Sequence, residues 1–190
     1  MEVILSGGTW ECYPQSERDR FVLECYYAAN NFGIKKEDLP IIKTMEEEQR
    51  INETTEYRII GMTLETRPDF ITKKAILDYR RYGVTRIQIG VQHYDDVILR
   101  KINRGCYTKD TVKAIRLLKQ SGYKVVVHLM PDLPGSSPES DRWMFNEAIN
   151  NPDLQFDDLK IYPTAICKSH DDQHVVTSVI SDWYEEGKYK

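Results

Sequence analysis

Five short apolar runs recur along the chain, separated by stretches of helical periodicity, and each run ends in a cluster of polar residues. The clearest is Lys124–Gly135, KVVVHLMPDLPG. Val125, Val126 and Val127 are a β-branched run suited to a strand buried on both faces. Pro131, which lacks an N–H for a central ladder, stops it near Met130. His128 and Asp132 sit at that edge, and the Pro134–Pro138 turn leads into a helix expected from Pro138 to about Asn150.

The same plan repeats in the other direction along the chain. Val3-Ile4-Leu5 is a short strand running into Ser6-Gly7-Gly8-Thr9, where two glycines permit either close backbone approach to a ligand or an ordinary tight turn. Ser16 is a candidate N-cap for a helix over Arg20–Ala29, and Thr44-Met45-Glu46-Glu47 has capping-box form for a helix to about Thr55. A second strand is expected over Tyr57–Leu64, ending in Glu65-Thr66-Arg67-Pro68-Asp69. Glu65 and Arg67 share one side of an extended segment, so they pair with each other or present an acceptor and a guanidinium fork to a ligand.

Thr72 caps a helix through Tyr82 that stops at Gly83. Arg86–His93 alternates, with Ile87, Ile89 and Val91 on one face and Gln88 and Gln92 on the other, either lining a lumen or bonded to each other as ladder residues. Helices over Asp95–Ile102 and from Thr108 to Gly122 follow. Phe156–Tyr162 is the fifth strand, ending in Lys160, Tyr162 and Pro163, and Val175–Trp183 is the last helix.

Strands alternating with helices, with polar residues at every strand's C-terminal end, predict a parallel α/β layout. Inward polar positions such as Gln88 on a middle strand favour a partial barrel over a doubly wound sheet, whose faces are both covered by helices.

Composition narrows the class. The chain has 190 residues, 41% hydrophobic and 29% charged, enough for one sizeable core. No apolar run reaches the ~18 residues of a membrane span, and Met1 leads straight into Glu2-Val3-Ile4-Leu5, so a soluble cytoplasmic protein without a membrane partner is expected. Cys12, Cys25, Cys106 and Cys167 form no CxxC pair and read as free thiols in a reducing compartment rather than a zinc or iron–sulfur set. His170 and His174 stand at i and i+4 without an evident third ligand and read as a polar loop.

The net charge of -4 hides an asymmetry. Thr72–Lys124 holds thirteen Lys and Arg against four Asp and no Glu, a balance of +9 that leaves -13 elsewhere. Such a segment is either a solvated helix surface or a face for a polyanion. The absence of Glu favours nucleic acid, with Lys73, Lys74, Arg80, Arg81, Arg86, Arg104, Lys109, Lys113 and Arg116 as the expected nucleic-acid-binding surface.

Six ordered motifs, SGGT, NETxxxRIIGxTLETRPD, RYGVTRIQIGVQH, INRGCYTKD, AIRLLKxxGYKVVVHLMPDLPGSSPE and LQFDDLKIYPTA, together resemble the radical S-adenosylmethionine (SAM) domain of the catalytic subunit of the Elongator complex, the tRNA uridine(34) acetyltransferase family. The resemblance implies a partial (βα)6 TIM-like barrel of the radical SAM type, here its strands two to six. It also implies SAM, a 4Fe-4S cluster and acetyl-CoA as co-substrate, and tRNA and other Elongator subunits as partners. By the same resemblance Gly7, Gly8 and Thr9 hold the methionine amino group of SAM. Glu65 and Arg67 lie beside its ribose and carboxylate, Gln88 and Gln92 line the cavity, and His128, Met130 and Pro131 flank the adenine. Lys160 and Tyr162 close the lumen.

The match runs from Val3 to about Ala165, giving residues 1–165 as the partial barrel and 166–190 as a divergent C-terminal helix and tail. The family's cysteine loop and acetyltransferase domain have no counterpart in these 190 residues. Two readings therefore stand, the central part of a radical enzyme acting on tRNA or a catalytically inert tRNA-binding fragment.

Overall fold

A computed structural model describes residues 1–165 and 179–189 of the chain. Five strands, β1 (Glu2–Leu5), β2 (Gly61–Thr66), β3 (Arg86–Gln92), β4 (Lys124–Leu129) and β5 (Asp158–Ile161), pair in sequence order, every pair parallel. Helices α1 (Gln15–Asn30), α2 (Met45–Asn52), α3 (Lys73–Tyr82), α4 (Asp96–Lys101), α5 (Thr108–Gln120) and α6 (Pro138–Asn150) lie between them, and α7 (Val179–Glu185) follows.

Strand order decides between the two layouts open to the sequence. A doubly wound sheet reverses direction at a switch point and puts helices on both faces, whereas strictly sequential order with right-handed crossovers stacks every helix on one face. The sheet is the wall of a barrel, as expected.

Alternation then sorts the side chains. Met62, Leu64, Ile87, Ile89, Val91, Val125, Val127 and Leu129 face the helices and are almost completely buried against Tyr79, Tyr82, Ile115, Leu118 and Met144 in one core. Fully burying each such side chain contributes about 1.5–3 kcal/mol. On the other face, register brings Glu65 beside Gln88 and Gln88 beside Val126, then Gly90 beside His128 and His128 beside Lys160.

Helix ends follow their local chemistry where that chemistry is unambiguous. Thr44 and Glu47 form the expected capping box, and Thr72 accepts from the Ala75 N–H. Gly83 closes α3 at φ 75°, a conformation costly for any residue with a Cβ.

Several boundaries move. Helix α1 starts at Gln15 behind Pro14, so Ser16 lies inside it rather than capping it. Helix α2 stops at Asn52, because the Asn52 carboxamide turns to the Ile59 N–H and Asn30. β2 begins at Gly61 rather than Tyr57, since the Ile60 N–H is taken by the Met1 carbonyl at the sheet edge. The N-cap of α5 is Tyr107, paired with Asp110, while the Thr108 hydroxyl donates to the Tyr94 carbonyl and ties two loops together. Residues 166–178, with His170, His174, Cys167 and the expected start of the last helix, lie outside the described residues.

Candidate functional site

The polar face ends in a cleft of about 580 Å³ at the C-terminal ends of the strands, the end where parallel barrels carry their sites. Ser6, Gly7, Gly8, Thr9, Glu65, Thr66, Arg67, Gly90, Gln92, Arg104, His128, Met130 and Tyr162 line it. Its volume lies within the range of about 300–1,000 Å³ usual for small-molecule sites.

Gly7 and Gly8 hold φ of 129° and 114°, and a Cβ on either would meet no atom within 4 Å. Their backbone is therefore bare towards open space. The Gly7 N–H donates to the Glu65 carboxylate at 3.2 Å, which brings the end of β1 and the end of β2 to one point across 58 residues.

The floor is a fixed hydrogen-bond network. Gln88, only 3% exposed, accepts from the Lys160 ammonium at 2.9 Å through Oε1, and the same oxygen lies 2.9 Å from His128 Nε2. An ammonium only donates, so Lys160 fixes which end of the Gln88 amide is the oxygen, and His128 must carry its proton on Nε2. His128 Nδ1 then faces Glu65 at 3.6 Å, and the ring meets Tyr162 edge-on at 5.3 Å. Burial lowers the His128 pKa and Lys160 adds to the effect, against the opposing Glu65 charge, so the imidazole is neutral at pH 7.

The rim carries two arginines. Arg67 is locked in a bidentate pair with Asp69, at 3.0 and 2.7 Å, and stacks over Phe70. That bonding to Asp69 raises its pKa, against the effect of burial. Glu65 and Arg67 thus each take another partner and do not pair with each other. Arg104 turns into the cleft, donating to the Gly90 carbonyl, and its pKa is lowered by burial and by the charge of Arg67. Burial likewise pushes the nearby Cys106 thiol up to about 11.

Gln92 reaches the cleft by way of an irregularity. The β3–β4 register shifts between Gly90 and Gln92, and Gln92 takes φ 71°. Its carbonyl accepts from the Met130 N–H at 2.8 Å, which ties the end of β3 to the residue just after β4. Gln88, Lys160 and Pro131 are not lining residues; the first two support the floor, and Pro131 accepts from Thr164 just behind it.

The nine basic residues expected on one face are not brought together. Arg86 belongs to the strand face at the opposite end of the sheet, paired with Glu2 at 3.6 Å, and Arg104 is in the cleft. Arg81 is paired with Asp19 and Arg116 with Asp153, while Arg80 donates to the Ser121 carbonyl over the Tyr123 ring. Lys73, Lys74 and Lys109 are exposed at the starts of α3 and α5, and Lys113 is exposed further along α5.

The model of the Radical SAM superfamily matches residues 2–146. The chain belongs to the radical SAM superfamily. It is 42% identical over 166 residues to the tRNA uridine(34) acetyltransferase of Methanocaldococcus infernus, across 87% of this chain and 30% of that protein. It is 36% identical to the Elongator complex protein 3 of Schizosaccharomyces pombe, across 100% of this chain and 32% of that one. The chain spans about a third of the length of these curated relatives.

Among solved structures, the archaeal M. infernus Elp3 with an N-terminal deletion superposes with a TM-score of 0.86 at 38% identity, covering all of this chain and 41% of that one. Coproporphyrinogen III oxidase (HemN) from Escherichia coli, at 14% identity and a TM-score of 0.56 over 86% of this chain and 44% of its own, shares the fold. No described helix is long and apolar enough to cross a membrane.

A radical SAM fold implies SAM and a 4Fe-4S cluster, and the residues present treat the two differently. A bare Gly7-Gly8 backbone, the Glu65 carboxylate and a polar floor suit a zwitterionic nucleoside. A cluster finds no such set. Cys12 is exposed on the turn after β1, Cys25 lies within α1 and Cys106 is buried before α5, and among the described residues no three His, Cys, Asp or Glu could hold a metal. The 190-residue chain, treated anaerobically with iron and sulfide, is therefore expected to show no stoichiometric iron–sulfur absorbance. A band that disappears on Cys106→Ser would overturn this.

Sequence reasoning missed Arg104 and Gly90 as parts of the cleft, and Asp69 as the partner of Arg67. Arg67-Pro68-Asp69 carried a local signal, because an Arg and an Asp two positions apart across a proline turn can close a fork. Arg104 carried none, since its direction depends on the loop between α4 and α5.

Proposed function

We propose that this chain is the SAM-holding part of a radical SAM enzyme that modifies the wobble uridine of tRNA. The observation that carries the reading is the convergence of Gly7-Gly8, Glu65, Gln88, His128, Lys160 and Tyr162 on one polar cleft, in a chain so similar to archaeal Elp3. In this reading the longer enzyme uses acetyl-CoA as co-substrate, works in the cytoplasm and assembles with other Elongator subunits.

Each group has a definable task. Gly7, Gly8 and Thr9 receive the methionine amino group, the glycines allowing close approach, while Glu65 and Arg67 lie beside the ribose and carboxylate, with Glu65 as an acceptor for the ribose hydroxyls. Burial, with a smaller contribution from Lys160, keeps His128 neutral, and Gln88 fixes its ring, so it packs against the nucleoside without placing a second charge beside the sulfonium. His128, Met130 and Pro131 form the edge that flanks the adenine, Gln92 lines the cavity beside it, and Tyr162 closes the far side. When bound, SAM supplies the family's radical chemistry.

Calorimetry tests the reading. SAM is expected to bind the 190-residue chain with a Kd of about 0.1–1 mM, because these hydrogen bonds alone account for roughly 4–5.5 kcal/mol. Glu65→Gln and Arg67→Ala should each weaken binding by about tenfold, the loss of one charge-assisted hydrogen bond or of the fork that orders the rim. Binding unchanged in both variants would show that the nucleoside does not use this cleft.

A further inference from the structure

Parallel strands followed by returning helices place the strand C-termini, the helix N-termini and the cleft at one rim of the barrel wall, and the opposite ends at the other. The basic residues divide by rim. Away from the cleft, Arg81, Arg86 and Arg116 are paired with Asp19, Glu2 and Asp153, and Lys119 and Lys124 share Asp157 at 2.8 and 3.2 Å. Arg80 is held by a carbonyl and an aromatic ring. At the cleft rim, Lys73 and Lys74 open α3, Lys109 opens α5, and Arg104 stands in the loop before it. Among the described residues none of these four has a carboxylate within ion-pair distance.

Arg104 is the most costly of them to leave alone. Its Nε is buried without a hydrogen-bond partner, and Nη2 is aimed at the Gly90 carbonyl. A Cβ at position 90 would stand 2.9 Å from that same Nη2, so only glycine leaves the guanidinium its place. The neighbouring Arg67 is neutralised by Asp69, which leaves this corner one positive charge in excess. Shielding a guanidinium from water without a counter-charge is costly, and an anion offsets that cost.

The space beside Arg104 has a shape that fits such an anion. A side arm of about 270 Å³, lined by Ile102, Asn103, Leu133 and, from α7, Ile180, adjoins the main cleft and shares Arg67, Gln92, Arg104 and Met130 with it. SAM carries one carboxylate against an ammonium and a sulfonium, so as a whole it adds positive charge and does not balance this corner. A phosphodiester brings one negative charge and two free oxygens that match the guanidinium fork, and its sugar and base suit the apolar wall of the arm.

We infer that Arg104 and the side arm bind a backbone phosphate of the RNA beside the nucleotide that enters the cleft, and that Lys73, Lys74 and Lys109 continue this track along the rim. The inference rests on the reading of the chain as part of an RNA-modifying enzyme. The far-rim arginines hold the helices in place and do not touch RNA.

The test is tRNA binding by fluorescence anisotropy at several salt concentrations, with each variant's fold checked by circular dichroism. Four cations should give the wild type a log–log slope of about -3 to -3.5. Arg104→Gln should lower affinity about tenfold and flatten the slope by about 0.7 to 0.9, while Arg104→Lys keeps the slope and loses part of the affinity because the fork is gone. Replacing Lys73, Lys74 and Lys109 together by Gln should flatten it by about 2 to 3, and Arg80→Gln with Arg116→Gln should change neither quantity. If the wild type binds tRNA and the rim variants keep its affinity and slope, or the far-rim pair loses as much, the inference fails while the reading of the chain stands. Absence of tRNA binding by the wild type overturns both.

Discussion

Gln88→Leu should destabilise the fold by about 2–4 kcal/mol although it places a more apolar side chain at a position only 3% exposed. The Gln88 carbonyl oxygen is the shared partner of the Lys160 ammonium and the His128 Nε2–H, each at 2.9 Å. Leucine leaves a half-buried cation and an imidazole N–H without acceptors, and the penalty for an orphaned charged donor exceeds the gain from burying a few methylene groups. The urea midpoint should fall by roughly 1–2 M with an unchanged slope. Adding Lys160→Met should recover much of the loss, since it removes the uncompensated charge, and the two changes should couple by more than about 0.5 kcal/mol. A midpoint unmoved in Gln88→Leu would mean that water already satisfies this network.

The second large effect is loss of stability in mild acid. His93 is completely buried, with Nδ1 accepting the Asp95 N–H at 2.9 Å and Nε2 facing Asp141 at 3.6 Å, and burial lowers its pKa despite those two carboxylates. His128 is lowered in the same direction. A histidine whose pKa is depressed by folding binds its proton more readily in the unfolded chain. Its contribution is therefore complete above the unfolded value of about 6.5 and is lost as pH falls from there towards the folded value, at up to about 1.4 kcal/mol per pH unit for each ring.

Asp157 acts in a separate window. Burial alone would raise its pKa, but hydrogen bonds from Lys119, the Val125 N–H and Lys124 hold it at about 2. Its share persists until pH falls below the ordinary carboxylate value of about 3.9. Chemical unfolding between pH 7.5 and 5 should therefore show a falling midpoint that His128→Asn makes shallower and Asp157→Asn leaves in place. A midpoint constant over that interval would rule out two buried neutral histidines.

The chain's strands were legible because a β-branched run bounded by proline or glycine has few alternatives. Val125–Val127 before Pro131 is the clearest, and it lies within β4. The helix ends at Thr44, Thr72 and Gly83 were legible for the same reason, since caps are made by residues within three or four positions of each other. Tyr57–Ile60 misled because its residues have strand propensity but their partners are the Asn52 side chain and the Met1 carbonyl, neither of which a local window contains.

By itself the sequence determined the period of each element, the face on which each side chain stands, and the gathering of Glu65, Arg67, His128 and Lys160 at strand ends. These follow from covalent geometry and local sterics acting over a few residues. Only the tertiary structure decided the pairings. It set the Gly7 N–H on Glu65, 58 residues away, and Lys160 on Gln88, 72 residues away; it gave Arg67 to Asp69, and it turned Arg104 inward from the helical surface. Partners so distant meet through strand register and loop paths. Those are fixed by burial of the whole sheet against its helices, and no short stretch of sequence contains that information.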